Sequence, residues 1–99
     1  MSNQLESTPQ ARDDAREAYA WYERQSPGLG DRFLWHVDEC LDLILANPEL
    51  FEVVYKQYRR AIVRRFPYVV FYKHEGDVVT IYSIFQSAKN PRKWRRRLS

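Results

Sequence analysis

RAIVRRFPYVVFYKHEGDVVTIYSIFQSAKNPRKW, residues 60–94, decides the fold. Its runs are rich in Val, Ile, Tyr and Phe, the side chains that suit a pleated, half-buried surface. Tyr68 to Lys73 is apolar and extended, and Glu75-Gly76-Asp77 is a hairpin turn signal. Val78 to Phe85 follows as the clearest strand. Alternation puts Val79, Ile81 and Phe85 on one of its faces, and Val78, Thr80, Tyr82 and Ile84 on the other. The first set is expected to meet helices. Neither face is polar, so the second is expected to lie under the chain's tail or under a partner. Pro67 cannot donate to a ladder and marks an edge or a strand start.

Outward from that stretch, Val53 to Phe66 alternates loosely and is interrupted by Arg59, Arg60, Arg64 and Arg65. On a strand, Arg60 and Arg64 share one face and Arg59 and Arg65 the other. Residues 53–87 therefore read as a three-stranded sheet, and 88–99 as a basic tail. Upstream, two helices are expected. The first covers 9–25: Ala11, Ala15, Ala18 and Tyr22 recur at helical spacing. It opens either with Thr8 as cap and Pro9 in the first turn or with a Ser7–Gln10 capping box. Pro27, Gly28 and Gly30 break it. The second covers 29–46, with Phe33, Val37, Cys40, Leu41 and Ile44 as its apolar stripe and Asn47-Pro48 as its stop. Residues 1–8 offer only Leu5, so they form a weak strand or none. The sum is a single α+β domain: a helical hairpin packed on a small, mainly antiparallel sheet, with a basic C-terminal segment.

Charge is divided along the chain. Residues 1–52 hold four arginines against eleven acids, a net of −7, and residues 53–99 hold twelve bases against two acids, a net of +10. Such asymmetry points to an anionic partner for the basic half. No apolar run approaches the roughly 18–20 residues of a membrane span. The polar start MSNQLESTPQ carries no secretory signal. A single cysteine, Cys40, excludes an intrachain disulfide and fits a reducing compartment, so a cytoplasmic protein is expected. His36, His74 and Cys40 lack metal-ligand spacing, so neither metal nor cofactor is expected. Trp21, Tyr22 and Trp35 read as hairpin packing rather than as a platform for stacking bases.

An ordered set of short motifs carries a resemblance. Glu17 to Glu23 with Gln25, Gly28-Leu29-Gly30, Phe33 and Val37-Asp38 come first. Asn47-Pro48, Arg64-Arg65-Phe66-Pro67-Tyr68 with Tyr72, Gly76-Asp77, Val79 and Ile81 follow, then Asn90-Pro91 and Trp94. Together they resemble the RelE/ParE superfamily of toxins from type II toxin–antitoxin systems, and most closely its ParE-like branch. The resemblance implies a cognate antitoxin whose segment wraps the toxin, pairing with a sheet edge or laying a helix in a groove, and so allows a toxin–antitoxin hetero-oligomer. It also implies an apolar strand before the first helix, for which Gln4 to Ser7 is poor material.

Two activities follow from the resemblance. ParE-like relatives poison DNA gyrase, trapping a DNA–enzyme complex without catalysis. On that reading Lys89, Arg92, Lys93, Trp94, Arg95 and Arg96 would bind the target or nucleic acid, unless Trp94 only docks the last segment on the sheet. Other members cut messenger RNA on the ribosome, which needs cations at the scissile phosphate and a group to move the 2′-OH proton. Arg60, Arg64, Tyr68 and Lys89 would then form the site. This sequence departs from that pattern: Gln86 stands where many relatives have His, Ala88 where Arg is common, and Tyr68 where cutting relatives tend to have Arg. A third reading is a member that binds its antitoxin and harms nothing.

Overall fold

The computed structural model describes residues 3–87 and 91–99. Strand β1 (Gln4–Ser7) leads into helix α1 (Pro9–Gln25). Thr8 accepts from the Ala11 N–H at 3.1 Å as α1's N-cap, and Pro9 fills the first turn. Helix α2 (Leu29–Ala46) returns antiparallel to it. Gly28 makes the reversal at φ 87°, a conformation that favours glycine. Gly30 serves closeness instead: a Cβ there would meet Glu23 Cγ at 2.6 Å and the Tyr19 ring at 2.8 Å. Its N–H donates to Glu23 Oε1 at 2.8 Å, tying α2's first turn to α1.

Strands β2 (Val53–Tyr55), β3 (Tyr58–Ile62), β4 (Tyr68–Glu75) and β5 (Val78–Gln86) complete a five-stranded sheet in the order β1-β5-β4-β3-β2. All pairs are antiparallel except β1 with β5. The expected three strands of 53–87 are thus four. Lys56, at φ 51°, turns the chain tightly between β2 and β3 with none of the usual turn residues. β1 does form, although its side chains are mostly exposed. It is held by the main chain: Gln4 N donates to Asp77 O at 2.7 Å, and Thr8 N to Ile81 O at 3.0 Å.

Each sheet face has its own core. On one face α1 and α2 bury Ala18, Tyr22, Phe33, Val37 and Ile44 against Val70, Tyr72, Val79, Ile81 and Ile84. On the other, helix α3 (Pro91–Leu98) buries Trp94 and Leu98 against Val69, Phe71 and Phe85. The tail therefore covers the second apolar face. The expected faces of β5 change partway along. Phe71 pairs with Ser83 but Tyr72 with Ile81, so Tyr82 is an extra residue, a β-bulge. The bulge resets alternation: Ile84 meets the helices and Phe85 meets α3, opposite to the strict two-residue pattern. Among the described residues no helix is long and apolar enough to cross a membrane.

Cys40 sits in the helix-side core, 4% exposed. Burial first, and Glu39 second, push its thiol up to about 11 from 9.0. Thiolate at neutral pH therefore falls about a hundredfold, and alkylation requires the anion. Native protein treated with a maleimide at pH 7.5 is expected to react at least about 100-fold more slowly than the urea-unfolded chain. Equal rates would show that Cys40 is not held in this core.

Candidate functional site

Helix α3 gathers most of the tail's charge on its open side. Arg92, Lys93, Arg95 and Arg96 are exposed, while Trp94 and Leu98 face the sheet. Trp94 stacks on Phe71 with ring centroids 4.9 Å apart and planes 29° apart. Trp94 is thus buried against the sheet and anchors the helix. The Arg95 guanidinium lies 5.3 Å from the Trp94 ring and 5.9 Å from the Tyr55 ring, extending a cationic-aromatic surface toward β2.

Arg97 has a different role. It turns toward α1 and pairs with Asp14, whose side chain is 10% exposed. The second Asp14 oxygen accepts from Ser83 Oγ at 3.1 Å and from Ile84 N at 3.0 Å. The Gln10 amide, turned with its oxygen toward the guanidinium, accepts from Arg97 Nε at 2.8 Å. One carboxylate thus joins α1, β5 and α3. The pairing spans the acidic and basic halves of the chain, so some of their charge is matched internally.

Beside this joint lies a groove of about 760 Å³ between α1 and the ends of β4 and β5. Glu17, Trp21, Arg24, Tyr68, Gln86 and Arg97 are among its walls. Trp21 is 50% exposed there and Trp35 on α2 is 61% exposed, so neither is buried in the hairpin as expected; only Tyr22 is. The groove offers little acid–base chemistry. Gln86 does not titrate, and Tyr68 is pushed up by burial, with Tyr22, Asp14 and Glu17 adding to the effect.

Among the described residues considered for RNA cleavage, Arg60, Arg64 and Tyr68 have different surroundings. Arg60 stands on the α3 face, in register with Phe71, with Nη2 4.0 Å from Glu52 Oε1. Arg64 lies beyond the end of β3, and its Nη1 is 3.8 Å from Glu39 Oε2 on α2. Strand alternation therefore does not reach it, and Arg60 and Arg64 do not share a face. Arg65, at φ 67°, is also off the strand. Tyr68 packs on the helix side, its ring centroid 5.0 Å from that of Phe33. Lys89 lies outside the described residues, as does Ala88. Arg59, not considered for the site, pins the loop after α2 by donating to Phe51 O at 2.6 Å and Glu49 O at 3.1 Å. The Asp14–Arg97 joint was not visible in sequence, because its partners are 83 residues apart and neither belongs to a motif.

Comparison with known proteins gives concordant results. Residues 5–91 match the family model described as the ParE toxin of the type II toxin–antitoxin system, parDE. Toxin ParE2 of Mycobacterium tuberculosis, in strains CDC 1551 / Oshkosh and ATCC 25618 / H37Rv, is 28% identical over 92 residues. That match covers 92% of this chain and 88% of the relative. A chain from the structure titled "Chromosomal ParDE TA system from P. aeruginosa" superposes with a TM-score of 0.75 at 18% identity, covering 85% of this chain and 95% of that one. At that identity the superposition speaks for the fold, while the family model spans most of the sequence. This chain belongs to the ParE toxin family of type II toxin–antitoxin systems.

Proposed function

We propose that the protein arrests growth by binding DNA gyrase on DNA, without catalysing a reaction itself, and that a cognate antitoxin keeps it silent. The observation carrying this reading is the dispersal of Arg60, Arg64 and Tyr68 to three different surroundings. In-line phosphodiester cleavage needs such groups within reach of one phosphate. A binding toxin needs only a surface. The exposed cations of α3 supply one that suits a DNA backbone or an acidic protein face. The antitoxin is the expected partner by analogy with the parDE system for which the family is described. The groove beside Trp21 is a fitting place for an apolar side chain of it.

Induction of this chain alone, in bacteria carrying a DNA-damage reporter, tests the reading. Arrest with the reporter on is expected, and co-expression of the cognate antitoxin should restore growth. Arrest with the reporter silent would move the target to translation.

A further inference from the structure

A second cavity, about 470 Å³, is lined by α2 and the β3–β4 connection, with no residue of α3 in its walls. Leu29, Arg32 and His36 of α2 and Arg65 and Phe66 of the β3–β4 connection line it. Its two arginines are uncompensated: among the described residues neither side chain has an acid within ion-pair distance. The nearby acid Glu39 is otherwise engaged, facing Arg64 at 3.8 Å and His36 Nδ1 at 3.5 Å. His36 Nδ1 and Glu39 Oε1 are buried 3.5 Å apart, and neither makes a hydrogen bond. Arg65 also occupies left-handed backbone at φ 67°, where Gly or Asn would sit with less strain. The turn gives no reason for an arginine at that point, but the cavity does.

From this geometry we infer an oxyanion site that takes a phosphate group between Arg32 and Arg65, with His36 as a third wall. Two guanidinium forks match tetrahedral phosphate oxygens, and two permanent charges match a dianion better than a lone carboxylate. The apolar side formed by Leu29 and Phe66 excludes water from one flank of the bound group. The inference is independent of the toxin reading.

Titration of the purified protein with inorganic phosphate, at ionic strength held constant with chloride, tests it. Arginine Nε and histidine ring resonances are followed by NMR. Saturable shifts at Arg32, Arg65 and His36 are expected, and Arg32→Gln and Arg65→Asn should each weaken binding at least about tenfold. Asn suits the left-handed turn, so the second variant keeps its fold. Competition identifies the source of the phosphate. Displacement by a short DNA duplex, sensitive to the same variants, assigns a nucleic-acid backbone. Displacement only by a phosphate monoester assigns a small metabolite. Shifts that do not saturate, or that both variants leave unchanged, would overturn the site. Saturable binding of a glutamate-rich peptide with none of phosphate would overturn it too, assigning the cavity to a protein partner's carboxylate.

Discussion

Asp14→Ala is expected to lower stability by about 3 kcal/mol, the lower end of what removing one member of a buried ion pair costs. In a domain of this size that is a fall in melting temperature of about 12–24 °C. The loss has several parts. Arg97 keeps its charge at a site where its side chain is only 27% exposed. Ser83 Oγ and the Ile84 N–H lose their acceptor beside the β5 bulge. Helix α3 then loses its ionic tie to α1 and depends more on the burial of Trp94 and Leu98. Arg97→Ala should cost less, because Asp14 keeps its two donors on β5. Thermal and urea unfolding of both variants and the double mutant gives the coupling between them. A loss below about 1 kcal/mol for Asp14→Ala would mean that the joint is not formed as described.

Phe33→Ala is expected to cost about 3–5 kcal/mol, the usual range for emptying a buried aromatic site. Phe33 is fully buried. Its ring stacks with Tyr22 at 5.3 Å and meets Phe66 edge-on at 5.3 Å and Tyr68 at 5.0 Å. It therefore joins α1, α2 and the start of β4. Against a typical total of about 5–15 kcal/mol, such a loss leaves the variant marginal. Urea unfolding monitored by tryptophan fluorescence measures it. A midpoint shift equivalent to less than about 1.5 kcal/mol would show that the hairpin collapses to fill the space.

The helical hairpin is legible in sequence because its signals are local. The Phe33–Ile44 stripe, the Gly28 reversal and the Asn47-Pro48 stop each act within a few residues. The sheet is legible where side chains carry the pattern, in β4 and β5, and less so where the backbone does. β1 pairs through main-chain hydrogen bonds, which Gln4 to Ser7 do not advertise. The Lys56 turn uses a residue with no turn preference, so β2 and β3 read as one run. The bulge at Tyr82 is invisible to a rule of strict alternation, which is why Phe85 was expected on the wrong face.

The site divides in the same way. The α3 cations could be read directly, because a run of like charge needs no folding to be recognised. Which of them face solvent could not: Arg97 differs from Arg96 only in its place on the helix, yet it is bound to Asp14. Whether arginines from different turns meet depends on where a strand ends. β3 ends at Ile62, two residues before Arg64.

The most direct test of a binding toxin uses the purified chain, DNA gyrase and supercoiled plasmid, with linear DNA measured after detergent and protease treatment. Linear DNA is expected to accumulate with toxin concentration. Replacing Arg92, Lys93, Arg95 and Arg96 together by serine should suppress it while α3, anchored by Trp94, stays folded. Absence of linear DNA at any concentration, with ribosome-bound message cut by the same preparation, would contradict the account.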